Sequence, residues 1–176
     1  LRPRVLLPLA GLDLHTTLLG KALPLPILVA PMANHGLAHP DGELATALAA
    51  SALGAGLVLG TQSSRPLEDV ARAFGAGHDR GPLWFQLYWL GDRGWIRELV
   101  HRAHRAGYEA VMLTVDAPVQ GVRDDERRAG FVPPAGAPAP HLPPGAAGLA
   151  ALLAQAAAWD DVARSLAQQL QARLSA

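Results

Sequence analysis

An α/β protein built on a parallel sheet is predicted by three observations. Short apolar runs begin at Ile27, Leu57, Leu83 and Ala110, spaced 26–30 residues apart. A helix-length segment fills each interval between them. Glycine and proline punctuate each unit, and strands alternating with helices at that period are repeated βαβ crossovers.

Residues 1–25 read as a lead-in hairpin, with extended segments at Val5–Leu7, Leu12–Leu14 and Leu18–Leu19 broken by Pro8, Gly11 and Gly20. Four βα units are expected over residues 26–120. The first opens on Ile27-Leu-Val-Ala-Pro-Met-Ala33, around which the chain is organised. Ile27, Leu28 and Val29 form an unbroken apolar run, the pattern of a strand covered on both faces. Pro31 has no amide hydrogen, so pairing should stop there, and Ala30 is steered away from helical angles. Small residues at Ala30 and Ala33 let backbone approach a flat ligand closely.

A helix is predicted over Gly42–Leu53, after Pro40 and Asp41, with Leu44, Ala47, Leu48 and Ala52 as its apolar stripe. Gly54 and Gly56 end it. Strand Leu57–Leu59 runs into Gly60-Thr-Gln-Ser-Ser64, and Pro66 starts a helix through Ala73. Strand Leu83–Trp89 is rich in aromatics. Asp92 is placed to cap a helix that ends before Gly107, and Ala110–Val115 is the fourth strand. Residues 121–148 hold much proline and glycine and little periodicity, which predicts a long mobile loop. Helices are expected over Leu149–Ala158 and from Asp160 to Leu174, where a fifth strand falls due.

Fifteen basic and fifteen acidic side chains cancel, so neither nucleic acid nor an anionic membrane is an expected partner. The absence of cysteine excludes disulfides and thiolate chemistry. No cluster has metal-ligand spacing, so no metal is expected. No signal peptide is visible and no apolar run approaches the ~18 residues of a membrane span; the expected location is the cytoplasm. The chain opens at Leu1 without a methionine, as a piece of something longer would.

Four motifs in register carry a resemblance: Ala30-Pro-Met-Ala33, His39-Pro-Asp-Gly-Glu43, Phe85-Gln-Leu-Tyr88 and Leu113-Thr-Val-Asp-Ala-Pro118 with Arg123 after it. Together they resemble the FMN-dependent α-hydroxy acid oxidase and dehydrogenase family, across residues 1 to about 132 and more loosely at Trp159-Asp-Asp161. The resemblance implies a partial TIM (β/α)8 barrel of about four βα units behind the hairpin. It implies FMN across the carboxyl ends of the strands, a small 2-hydroxy acid substrate, and oxygen or another electron acceptor. The family reaction takes an (S)-2-hydroxy acid to a 2-oxo acid, by proton abstraction from the hydroxyl and hydride transfer from Cα to flavin N5. A homo-oligomer is expected at full length.

By position, the resemblance assigns the backbone of Pro31, Met32 and Ala33 to the flavin, with Gly60 beside it. Gln86 and Thr114 are assigned to the pyrimidine edge of the isoalloxazine. Tyr88 is assigned to flavin and substrate as the catalytic residue, and Arg123 to the substrate-side loop. Charge that develops near N1 and O2 of a reduced flavin calls for such donors. All the strand-borne candidates lie at carboxyl ends of predicted strands, where a barrel performs chemistry.

Plainer readings stand beside these. Gln86 in an apolar strand needs a partner, and a structural hydrogen bond would serve. Thr114 suits a strand by propensity alone. Tyr88 fits a core or interface aromatic, and Arg123 a solvated charge run through Arg128. His35 and His39 are read as structural.

The sequence departs from the family at Gly60, where many relatives carry a hydroxyl that bonds the flavin; Thr61 next door is a partial substitute. The lysine, histidine base, substrate arginine and phosphate loops of the family find no counterpart in residues 1–176, and its N-terminal tyrosine falls upstream of Leu1. The chain alone is therefore expected to be inactive. Two other readings are weighed. One is another FMN barrel such as a type 2 isopentenyl diphosphate isomerase, against which Phe85–Tyr88 and Thr114–Asp116 argue. The other is a non-catalytic half-barrel that binds a partner through its sheet.

Overall fold

The computed structural model describes residues 11–77, 80–116, 121–132, 134, 137–145, 160–161 and 163. A hairpin comes first, β1 (Thr16–Leu18) pairing antiparallel with β2 (Lys21–Leu23). Leu19 and Gly20, both at positive φ, make its turn. The expected extended segment Leu12–Leu14 is instead irregular and exposed, and the strand begins at Thr16, a β-branched residue. The expected segment Val5–Leu7 lies outside the described residues. Lys21 Nζ donates to Glu109 Oε1 at 2.7 Å and approaches the Gly81 carbonyl at 3.4 Å. Those residues precede two sheet strands, so the hairpin is fastened at the amino end of the sheet.

Four parallel strands follow in the order β3 (Leu28–Val29), β4 (Gly56–Leu59), β5 (Leu83–Tyr88) and β6 (Ala110–Thr114). Sequence order equals spatial order, as in one arc of a barrel. Helices α1 (Glu43–Ala52), α2 (Leu67–Phe74) and α3 (Arg93–Arg105) link successive strands. Leu57, Leu59, Leu83, Phe85 and Leu87 pack with Val70, Phe74, Ile96 and Leu99 in one core. Strand alternation puts Val58, Trp84 and Gln86 on the opposite face. Both faces of β4 and β5 are thus buried.

The edge strand β3 differs from expectation. It is two residues long, Ile27 is 58% exposed, and Leu28 and Val29 are only half-buried. An apolar run marks a strand buried on both faces only where neighbours cover them, and among the described residues β3 pairs with β4 alone.

The apolar stripe of α1 also needs correction. Glu43, Ala47 and Ala50 are its buried residues, whereas Leu48 is 58% exposed. Small alanines let α1 lie close against α2 and β4, so the inward face is the one with the least bulk. Asp92 caps α3 as expected, accepting from the Trp95 amide at 2.9 Å.

The loop expected over 121–148 contains a short helix, α4 (Asp124–Arg128), with acidic residues in its first turn and arginines in its last. Nor is it free of the core: His141 is fully buried. The predicted helix at Leu149–Ala158 lies outside the described residues, and of the one from Asp160 only its first residues are described, in helical conformation. Among the described residues no helix is long and apolar enough to cross a membrane.

Candidate functional site at the carboxyl ends of the strands

After β3 the chain turns sharply. Asn34 sits in the left-handed region at φ 52°, which asparagine tolerates, and its amide donates to the Gln62 carbonyl at 3.0 Å. The β3 turn is thereby tied to the β4 turn. Ala30, Met32 and Ala33 are exposed, Met32 to 61%, and Pro31 is half-buried.

Gly60 lies directly against this turn. A Cβ added there would stand 3.3 Å from the Met32 carbonyl oxygen and 3.7 Å from Gln86 Oε1. Those distances place Met32, Gly60 and Gln86 together. Gln86 Nε2 in turn donates to Thr114 Oγ1 at 2.8 Å. Met32, Gly60, Gln86 and Thr114 therefore form one line across the ends of four strands. Tyr88 lies two residues beyond Gln86, on the same face of β5, in register with Thr114. Arg123 is not brought into this line by any contact among the described residues. It precedes α4, is exposed, and its guanidinium donates to Glu126 at 3.0 Å.

The hydrogen atoms in this line follow from donor identity. The Thr61 amide can only donate, and it reaches Gln86 Oε1 at 3.1 Å. The amide nitrogen of Gln86 must then face Thr114, whose hydroxyl accepts. Two donors remain without a partner among the described residues, the second Nε2 hydrogen of Gln86 and the Thr114 hydroxyl. Gln86 is 3% exposed, and a buried donor with no acceptor is costly. The Tyr88 hydroxyl likewise has no partner among the described residues.

Three further residues take roles that the sequence reading did not give them. Thr61 is fully buried, and its hydroxyl donates to the Gln86 carbonyl at 2.6 Å and accepts from the Tyr88 amide at 3.2 Å. It welds β4 to β5, so its oxygen is already engaged rather than a stand-in for the hydroxyl missing at Gly60. Glu43 is 1% exposed. Its Oε1 accepts from the amides of His35 at 3.1 Å and Ser64 at 2.8 Å, and its Oε2 from the Ser64 hydroxyl at 2.6 Å. Gly42 at φ 56° delivers it there, a conformation other residues rarely adopt. The family motif His39–Glu43 contained this carboxylate, but only the fold shows that it clamps the β3 and β4 turns together.

His141 is the third. Its Nε2 accepts from the Leu67 amide at 3.0 Å, the first amide of α2. Its Nδ1 stands 3.3 Å from both the Thr61 carbonyl and Ser63 Oγ. The Ser63 hydroxyl already donates to the Arg65 carbonyl, so Nδ1 carries the proton and the ring is neutral. The ring packs edge-on to Phe85, and its backbone carbonyl accepts from Trp95 Nε1 at 2.9 Å. A lone histidine in a stretch without periodicity offers no sequence signal for this. Burial, followed by the nearby Arg102 guanidinium, pushes its pKa from 6.5 down to about 4, against weaker opposition from the Thr61 carbonyl, Glu68 and Glu43.

Because the buried ring is depressed, its contribution to stability is complete above pH 6.5 and is lost as pH falls from there towards 4. The total loss is about 3 kcal/mol, at about 1.4 kcal/mol per unit. Urea unfolding of the complete protein and of His141→Gln, at pH 7 and 4.5, checks this. The stability difference between the two should shrink at the lower pH; a constant difference would contradict a neutral buried ring.

Sequence and structure comparisons converge on one family. A profile described as FMN-dependent dehydrogenase matches residues 1–175. The chain belongs to that family. It is 47% identical to an L-lactate oxidase of Nostoc sp. (strain PCC 7120 / SAG 25.82 / UTEX 2576), over 92% of this chain and 48% of that protein. Glycolate oxidase 1 of Zea mays is 43% identical over 80% of this chain and 36% of its own length. Among solved structures, a mandelate oxidase variant with (S)-mandelic acid superposes with a TM-score of 0.76 at 37% identity, covering 94% of this chain and 45% of that one. The chain spans about half or less of the length of these relatives. The four-stranded arc is accordingly part of a barrel.

The residues present fit the family's cofactor on their own chemistry. A flavin's pyrimidine edge carries acceptors, and Gln86 and Thr114 hold two donors without a partner among the described residues. The flat ring needs room for close approach; Ala30 and Ala33 are small and exposed, Met32 is exposed, and Gly60 carries no side chain.

Proposed function

We propose that this chain supplies the amino-terminal arc of an enzyme that oxidises an (S)-2-hydroxy acid to a 2-oxo acid, and that residues 1–176 alone do not complete it. The observation that carries the reading is the line Met32–Gly60–Gln86–Thr114, with its two unspent donors, at the carboxyl end of a parallel sheet. Bound FMN supplies the hydride acceptor, and oxygen or another oxidant takes the electrons onward. Pro31, Met32 and Ala33 offer backbone to the ring. Gln86 and Thr114 orient its polar edge, and Tyr88 presents its hydroxyl beside them to the substrate carboxylate. Arg123 is assigned to the substrate side, and in this role it has to exchange Glu126 for substrate. A cytoplasmic location and homo-oligomeric assembly are part of the same proposal. Oxygen consumption by the complete FMN-loaded protein with lactate, glycolate and mandelate tests it; no turnover with any 2-hydroxy acid would refute it.

Tyr88→Phe in that protein should raise KM for the hydroxy acid and slow flavin bleaching, while FMN stays bound. One lost hydrogen bond to a charged group is worth about 1.5–3 kcal/mol, or a roughly ten- to hundred-fold drop in kcat/KM. Stopped-flow reduction of the flavin measures it, and unchanged rates would remove Tyr88 from the site.

A further inference from the structure

The geometry points to His141 as a positioning residue for the flavin edge, acting through Thr61 on the amide of Gln86. It rests on the reading of Gln86 as a flavin contact. His141 lies on the segment after β6, far along the chain from the residues it holds. Its two ring nitrogens face a fixed donor and a fixed acceptor, the Leu67 amide at 3.0 Å and the Thr61 carbonyl at 3.3 Å. Only the neutral tautomer with the proton on Nδ1 satisfies both.

Thr61 then passes the constraint on in three bonds. Its amide donates to Gln86 Oε1 at 3.1 Å, its hydroxyl donates to the Gln86 carbonyl at 2.6 Å, and that hydroxyl accepts from the Tyr88 amide at 3.2 Å. The first of these decides which end of the Gln86 amide faces Thr114 and which hydrogen is left for a ligand. His141 packs edge-to-face on Phe85, whose backbone adjoins Gln86, with ring centroids 5.5 Å apart. Loss of the imidazole frees the Thr61 carbonyl, in the peptide next to the one that carries the Thr61 amide, and so loosens the backbone that aims this amide at Gln86. His141 touches neither Gln86 nor the strand-end line itself, so its effect on a ligand there is indirect.

The test is a double-mutant cycle on FMN affinity, read by quenching of flavin fluorescence when the apo form of the complete protein is titrated. His141→Leu keeps an apolar group against Phe85 and removes both hydrogen bonds; FMN should bind about ten-fold more weakly. His141→Gln can accept from Leu67 and donate to Thr61, and should stay within about two-fold of wild type. Gln86→Leu should weaken FMN as well, and adding His141→Leu to it should cost less than about two-fold more. Wild-type affinity in His141→Leu, with Gln86→Leu impaired, overturns the positioning role and leaves Gln86 in place. Wild-type affinity in Gln86→Leu overturns the reading of Gln86 and this inference with it. Additive losses show that His141 acts by another route, which also overturns it. If His141→Leu does not fold, His141→Phe takes its place in the cycle, since it keeps a ring against Phe85 and removes both hydrogen bonds. Unimpaired FMN binding there has the same consequence.

Discussion

Residues 1–176, purified alone and mixed with FMN, are expected neither to oxidise lactate, glycolate or mandelate nor to keep yellow flavin through gel filtration. The residues proposed to meet the flavin all lie on one arc of four strands, and the chain spans 48% of its lactate oxidase relative. No residue of the chain has been assigned to proton abstraction, and a positioned base is commonly worth about 10²–10⁴ in rate. The arc is also poorly covered. Ile27 beside β3, and Val111, Met112 and Val115 in or beside β6, are exposed, and each of these strands has one paired edge among the described residues. Open edges with apolar side chains invite pairing with other chains. Sedimentation should therefore show self-association. A monodisperse monomer that holds flavin and turns over any of the three acids would overturn the expectation.

Glu43→Ala should cost about 4 kcal/mol of folding stability in the complete protein, because it strips the acceptor from two backbone amides and a hydroxyl in a buried place. Glu43→Gln can still accept both amides through Oε1, so its loss should be near 1 kcal/mol. Urea unfolding of the two variants separates them, and equal losses would dismiss the clamp. Burial pushes the Glu43 carboxyl up, but the hydroxyl and amide of Ser64 and the amide of His35 together hold it below the ordinary 4.5. A depressed carboxylate contributes its stability above pH 4.5 and loses it as the solution is acidified below that. The consequence reaches the candidate site, since Glu43 joins the turn that carries Met32 to the turn that follows Gly60.

Much of the arc was legible from local signals. Apolar runs at a 26–30 residue period mark the parallel strands, Pro31 marks the end of the first, and Asp92 marks the start of a helix. The strand-end candidates Met32, Gln86 and Thr114 were placed by motif and Gly60 by its position after the second strand, and the fold brings the four into one line. Failures came where burial depends on a neighbour distant in sequence. Leu48 looks like core by its spacing and points outward because alanines pack closer. Ile27 looks buried and lies open because β3 is an edge.

The sequence by itself determined the strand and helix periods and the turns, because those follow from each residue's own backbone preference and polarity over a few neighbours, and it pointed to the family through the resemblance of four motifs in register. Only the tertiary structure decided which polar groups hold the site. Glu43 meets Ser64 across 21 residues, Thr61 meets Gln86 across 25, and His141 meets Thr61 across 80. No local pattern encodes such a meeting, because a hydrogen bond is set by distance and angle between groups that the folded chain alone brings together.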